Sequence, residues 1–348
     1  MHRELDRRKF LALTAGSVAA GLLPLAAGAQ APQTNGAKID VHHHIVPPRW
    51  LTAYRDRGRI ADVLTNSPWV EAWTPSASIE QMDRYGVQTA YTSISSPAVW
   101  WGDPAAAQRL ARECNEFAAG NVADHPGRFG FFATLPFPDV AGSLSEIAYA
   151  FDVLKADGVG MLTSYDDKWP GDTTMAPIFD ELNRRNAIVF VHPTGAACCS
   201  SIIPGLSSAT EEYLFNTTRA ITSLLVGGTF SRCPNIRFIF THCGGTMPMV
   251  ADRIARNLGG RADLVARFPK GALYELQRQF YDVTTSTSAP TLGALMRFAP
   301  PTNILFGSDY PYVAMGVTVD GLAHASLDAA TLAAIHHDNA AALIKRRS

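Results

Sequence analysis

The sequence predicts an α/β protein, a single-domain (β/α)8 barrel with one insertion after its first strand. Eight short β-rich runs recur along the chain, with amphipathic helical segments between several of them. Strands alternating with helices build parallel βαβ units, and eight such units match a closed barrel. No GxGxxG follows the first run, which argues against an open, doubly wound sheet around a dinucleotide. The 348 residues allow two domains, but barrels of this size commonly form one.

The expected strands cover residues 39–45, 89–95, 129–135, 158–164, 188–194, 236–244, 280–285 and 304–311. Helical periodicity is clearest at 104–125, 142–156, 177–186 and 211–230. Residues 47–78, rich in Trp, Arg and Pro, form a long connection after the first strand. A connection of that length in a compact domain is usually functional, often a substrate-covering insertion. No internal repeat, low-complexity tract or second domain stands out.

The first strand is the most informative element. Ile39-Asp40-Val41-His42-His43-His44-Ile45 stops at Pro47-Pro48. Side chains alternate along a strand, so His42 and His44 share one face and His43 takes the other. Two neutral imidazoles on one face can grip one metal ion. Three surface histidines would be the ordinary alternative for an isolated run. Three further strands end alike: His192 closes the fifth, His242 the sixth and Asp309 the eighth. In a barrel the C-terminal strand ends build the active site. A lone strand-end histidine is commonly a structural hydrogen-bonder, but four metal-capable ends on one rim point to a metal centre.

These residues resemble the amidohydrolase superfamily, specifically the decarboxylase branch whose type member acts on 2-amino-3-carboxymuconate semialdehyde. The shared pieces are Asp40-x-His42-x-His44, Val191-His192-Pro193, Thr241-His242-Cys243-Gly244-Gly245 and Gly307-Ser308-Asp309-Tyr310-Pro311. HxH alone is weak, whereas the ordered set is specific and spans the chain from Ile39 to the C-terminal helix. The resemblance implies that His42, His44, His192 and Asp309 bind one divalent metal, with His242 beside it as acid or base. Binuclear members carry a carbamylated lysine on strand four, and 158–164 holds none, Lys155 preceding it and Lys168 following it. Zinc suits the mixed nitrogen and oxygen set, with manganese the alternative.

The expected activity is non-oxidative decarboxylation of an aromatic or enoic carboxylic acid. The metal would hold a carboxylate oxygen and a neighbouring hydroxyl, and Asp309 or His242 would supply the proton. Segments 40–48, 129–139 and 183–194 look most like 6-methylsalicylate decarboxylases, which makes a salicylate-type substrate the first expectation. In the resembled family, an arginine at the spacing of Arg253 reaches a neighbouring subunit's site and holds a substrate carboxylate, which implies a homodimer. Its planar fork suits that task; a solvated helix arginine is the plain alternative. Arg49, in the loop after the first strand, is a second candidate for a carboxylate anchor, and Trp100 and Trp101 are candidates to stack on a planar substrate. Asp282, on the seventh strand, is expected to orient a loop or a ligand.

The rival activity is metal-dependent hydrolysis of a lactone or amide on the same barrel, with His242 activating water. A non-catalytic binding protein would be expected to lose ligands, yet His42, His44, His192, His242 and Asp309 are all present. No GxSxG occurs for a serine hydrolase. A net charge of −1, with 18% charged residues, favours neither nucleic acid nor an anionic membrane.

Residues 1–31 read as a removable leader, leaving 37–348 as the barrel domain. Asp6-Arg7-Arg8-Lys9-Phe10-Leu11 is a twin-arginine pattern ahead of an apolar run that ends near Ala27-Gly28-Ala29. Gly16, Gly21, Pro24 and Gly28 interrupt that run, which favours an export signal over a membrane anchor and places the mature protein in the periplasm. Five cysteines without CxxC spacing give neither a zinc knuckle nor a disulfide framework. Adjacent Cys198 and Cys199 are expected to be two unpaired loop thiols, a vicinal bond being the alternative.

Overall fold

Eight parallel strands follow one another in sequence order, β1-β2-β3-β4-β5-β6-β7-β8. They are β1 (Lys38–His44), β2 (Val87–Ser93), β3 (Phe129–Thr134), β4 (Gly158–Leu162), β5 (Ile188–His192), β6 (Arg237–Phe240), β7 (Phe280–Asp282) and β8 (Ile304–Leu305). The computed structural model describes residues 37–64, 67–166, 168–199 and 202–345; the leader expected at 1–31 lies outside them. Their runs are nearly continuous in apolar residues because both faces are covered. Hydrogen bonds between β1 and the segment from Phe306 to Tyr310 close the ring: Val41 N to Phe306 O at 3.1 Å, Asp309 N to His42 O at 2.7 Å and His44 N to Tyr310 O at 2.7 Å. The expected (β/α)8 barrel is what forms.

The later strands are shorter than the sequence implies. Beyond Phe240 the chain leaves β6 at once for a tight turn in which His242, Cys243, Gly244 and Gly245 all have positive φ. Beyond β8, Asp309 has φ of 63°. The strand ends that carry polar groups are therefore turns, which lets the groups face the barrel mouth rather than a neighbouring strand.

The barrel interior is apolar below that mouth. Ile39, Val41, Phe132, Phe190, Ile239 and Leu305 fill it, and Phe132 stacks on Phe190 at 5.5 Å. Ala340 and Leu343 of the C-terminal helix Asn339–Lys345 join the same cluster. Each such fully buried side chain contributes roughly 1.5–3 kcal/mol. A second, larger core lies between the strands and the surrounding helices.

The connection after β1 differs from the long loop expected. It folds into helices Pro48–Asp56 and Ala61–Leu64, a 3-10 turn Pro68–Ala72 and helix Pro75–Tyr85. The signals are local: Pro48 and Pro75 open helices, Thr74 caps Ala77 N, and Gly86 ends the last helix at φ of 70°. Trp50 is fully buried and, with Tyr54, donates to Ala98 O at 2.6 and 3.1 Å. Aromatic anchoring, invisible to periodicity, turns the stretch into a packed insertion.

Candidate active site

A bulge in β1 sets the site. Its register against β2 shifts between Asp40 and His43. Ile39 and Val41 pack inside the barrel, so unbroken alternation would send His43 inward. The bulge resets the parity. The His42 ring instead lies 5.0 Å from Phe190, 5.1 Å from His44, 5.2 Å from His192 and 5.1 Å from His242. The pairing of His42 with His44 is as the sequence implied, and the bulge makes it the inward pair. Gly307 must be glycine here, since a Cβ would come within 2.6 Å of His42 Cβ and 2.4 Å of Thr284 Oγ1.

Asp309 Oδ1 is the point of convergence. It lies 3.1 Å from His44 Nε2, 3.4 Å from His42 Nε2 and 4.0 Å from His192 Nε2. His42, His192, His242 and Asp309 each bring a donor atom within 4.8 Å of the others. His42 Nε2, His44 Nε2 and Asp309 Oδ1 are buried, and none makes a hydrogen bond among the described residues. An unsatisfied buried polar atom costs about 1–3 kcal/mol, so several facing one another call for a shared partner. Two donors held by one ion at about 2.1 Å stand roughly 3 Å apart, which these separations approach. The nitrogen and carboxylate set therefore fits a divalent cation.

The opposite ring nitrogens are fixed from behind. His42 Nδ1 meets Asp282 Oδ2 at 3.0 Å, His44 Nδ1 meets Ser93 O at 3.3 Å, His192 Nδ1 meets Pro193 O at 2.8 Å and His242 Nδ1 meets Thr284 O at 3.3 Å. Asp282 Oδ1 also accepts from the backbone N–H groups of His242 and Thr284, both at 3.0 Å. Partners behind a metal-binding imidazole select its tautomer and turn its free nitrogen forward. Asp282 thus stands behind His42, where it can hold the ring's orientation. Outside the barrel wall, Asp40 accepts from His42 N, Ser308 N, Ser308 Oγ and His43 Nδ1. His43 Nε2 reaches Ser78 Oγ at 2.9 Å, tying the insertion to β1.

Charge within the cluster is uneven. Burial opposes a charge on His42, but the carboxylates of Asp282 and Asp309 outweigh it and raise its pKa to about 10. Burial lowers His44, His192 and His242, and neighbouring imidazoles add to the effect. Burial alone would raise Asp309, yet His42 and His44 hold it well below the usual carboxylate range. A cation would have to displace the proton of His42, while the other imidazoles are already neutral.

Beside the cluster opens a cavity of about 490 Å³, which His192, His242 and Asp309 line. Tyr213, Tyr312, Ser95, Ser96 and Thr285 share its wall, and the insertion adds Asp62, Val63 and Ser67. No lysine or arginine is among the described lining residues. Of the expected substrate contacts, Arg49, Trp100 and Trp101 are not among its described lining residues, and Arg253 was expected to serve a neighbouring subunit's site instead. Arg49 is exposed and pairs with Glu113 at 3.4 Å, and Trp100 Nε1 donates to Asp166 at 2.7 Å. Trp101 packs edge-on against Tyr54 at 5.6 Å under Arg57, and Arg253 is exposed on helix Met247–Gly259. Tyr312 escaped the sequence reading although it stands just past a strand end; Tyr213 sits on a helix and left no such trace. Cys198 and Cys199, expected as free thiols, form a vicinal disulfide in the connection after β5. The loop holds their sulfurs together, which spacing alone does not reveal.

The amidohydrolase family profile matches residues 39–346. The chain is similar to 6-methylsalicylic acid decarboxylase of Aspergillus aculeatus, 37% identical over 79% of this chain and 84% of that protein. It is similar to 2-amino-3-carboxymuconate-6-semialdehyde decarboxylase of Dictyostelium discoideum, 26% identical over 79% and 82% of the two chains. Among solved structures, it superposes with TM-score 0.80 on 5-carboxyvanillate decarboxylase of Novosphingobium aromaticivorans complexed with manganese and 4-hydroxy-3-methoxy-5-nitrobenzoic acid. That match is 19% identical and covers 90% of this chain and 97% of the other, and it supports the fold alone.

Proposed function

The chain belongs to the amidohydrolase family, and we propose that it is a metal-dependent, non-oxidative decarboxylase of a salicylate-type aromatic acid. The observation that carries this is the convergence of His42 Nε2, His44 Nε2 and Asp309 Oδ1, all buried and unsatisfied, at the mouth of the barrel.

His42, His44, His192 and Asp309 would hold one divalent ion, with His242 left for proton transfer. Such an ion supplies Lewis-acid polarisation and a template for a carboxylate and its neighbouring hydroxyl. Zinc suits the donor set, with manganese the alternative. No lysine or arginine is among the described lining residues, so the metal or a second copy of the chain would be the main electrostatic partner of the substrate carboxylate. A homodimer in which exposed Arg253 reaches the partner's cavity would answer that need.

Loss of CO2 requires a proton on the ring carbon that carried it. With Nδ1 facing Thr284 O, neutral His242 presents Nε2 as an acceptor. It can take the proton of the substrate hydroxyl and return it to the ring. Asp309 is the alternative proton donor, but His42 and His44 hold it as a carboxylate. The leader points to export, and a Cys198–Cys199 disulfide suits an oxidising compartment such as the periplasm.

The test is elemental analysis of purified protein together with CO2 release from 2-hydroxybenzoates. About one zinc or manganese per chain, with CO2 evolved and lost in His192→Ala, is the expected result. Turnover of lactones or amides without CO2 would replace this reading with hydrolysis.

A further inference from the structure

Among the described residues, nine other than glycine have positive φ, and His242, Thr285 and Asp309 of that set line the cavity. Thr285, at φ of 51°, is the one β-branched residue in it. Left-handed backbone is costly for a β-branched side chain and nearly free for glycine. Such strain persists where the surroundings enforce it, and it collects at functional sites. The enforcement is visible in the turn after β7. Thr284 N donates to Asp282 Oδ1 at 3.0 Å, Thr285 N to Thr318 Oγ1 at 3.1 Å and Ser286 N to Val283 O at 3.0 Å. None of these bonds uses the Thr285 side chain, so a glycine would make them all with less strain.

What a glycine would lack is the hydroxyl. Thr285 Oγ1 lies 3.2 Å from His242 Nδ1, beside Thr284 O at 3.3 Å. A carbonyl oxygen only accepts, so Nδ1 carries a hydrogen that the two oxygens share. Each contact is near the long end for an N–H···O bond, as a shared hydrogen requires. Thr285 is exposed on the cavity wall while His242 is buried beside it. The threonine side chain therefore also shields Nδ1 from water in the cavity.

We propose that Thr285 is a positioning residue for His242, whose hydroxyl accepts from Nδ1–H and keeps the ring turned so that Nε2 faces the substrate. It does for His242 what Asp282 does for His42. The strained backbone is the cost of placing a hydroxyl there. This rests on the proton-transfer role given to His242 above.

The experiment compares Thr285→Gly, which removes the hydroxyl and relaxes the backbone, with Thr285→Ser, which keeps the hydroxyl. Thr285→Gly is expected to hold its metal and to unfold at a urea concentration no lower than wild type. Its kcat for CO2 release from 2-hydroxybenzoates should fall roughly tenfold, with KM changed by less than about twofold. A second measurement needs no substrate. In zinc-loaded protein with isotope-labelled histidine, the His242 Nδ1–H proton, assigned with His242→Gln, should be visible by NMR in wild type. It should be lost to water exchange in Thr285→Gly, and Thr285→Ser should restore both the signal and kcat. Thr285→Gly with the proton signal intact, or with wild-type kcat, would overturn the assignment, as would an equal loss in Thr285→Ser. Wild-type protein that evolves no CO2 would overturn the decarboxylase reading instead, and the proton signal would then decide the role of Thr285 by itself.

Discussion

The two faces of β1 carry the same side chain to opposite ends. His43, on the outer face, and His42 and His44, on the inner face, are all fully buried. Both ring nitrogens of His43 are matched, Nδ1 by Asp40 and Nε2 by Ser78. The inner pair are matched only at Nδ1, and their Nε2 atoms face Asp309 without bonding it. Burial is equal, so burial does not identify a ligand. An unmet donor atom that converges with others of its kind does. His336 sharpens the point. Its Nε2 is also buried and unmet, but the ring packs edge-on against Phe306 with Lys38 nearby, and among the described residues it belongs to no metal-capable cluster. It reads as a core residue.

The contrast breaks most visibly at the inner face. His42→Ala should remove the metal, measured by elemental analysis, and lower kcat/KM by more than about a thousandfold while the circular dichroism spectrum is kept. Retention of metal by that variant would mean that the unmet nitrogens do not mark ligands. A smaller effect should follow from Asp282→Asn, which leaves the ligands in place but slackens His42. Metal affinity, read by competition with a chelator, is expected to fall roughly 10- to 100-fold.

On the outer face the response should reverse. His43→Ala leaves a cavity in the core and takes one hydrogen-bond partner each from Asp40 and Ser78, and should cost about 2–4 kcal/mol in denaturant unfolding. Its metal content should match wild type. Loss of metal at unchanged stability would erase the distinction between the faces.

The gentlest test is pH. Burial, aided by the charge of Lys38, lowers His336 to about 4 in the folded protein, against about 6.5 in an unfolded chain. Between these values the unfolded state binds the extra proton, so His336 lowers stability progressively as pH falls from about 6.5 to about 4. His336→Phe should flatten that part of the urea-midpoint profile. An unchanged profile would mean that the imidazole is readily protonated where it sits.

Much of the site was legible because it lies where strands end. Asp40-x-His42-x-His44, His192, His242 and Asp309 announce themselves as polar residues terminating apolar runs, and the period of two correctly pairs His42 with His44. The distant partners of Asp40 and His43 were not legible. Ser308 lies 268 residues from Asp40 and Ser78 lies 35 residues from His43, and only closure of the ring and folding of the insertion bring them together. The expected substrate contacts illustrate the same limit. Arg49, Trp100 and Trp101 follow strands closely enough to suggest a pocket, yet Glu113, Asp166 and Tyr54 occupy them elsewhere. A residue five to eight positions past a strand can turn toward the mouth or away from it, and sequence distance does not say which.

What the sequence determined by itself is the repeat of strand and helix, the barrel it closes into and the identity of the metal-capable residues at its rim. Local propensity and hydrophobic period act over a few residues, and those features are local. The tertiary structure decided which imidazoles face inward, because that depends on a bulge defined only against β2. It also decided which nitrogens stay unmet and which hydroxyls line the cavity. Each of those outcomes depends on the presence or absence of a partner from a distant part of the chain, and only the folded molecule settles whether that partner arrives.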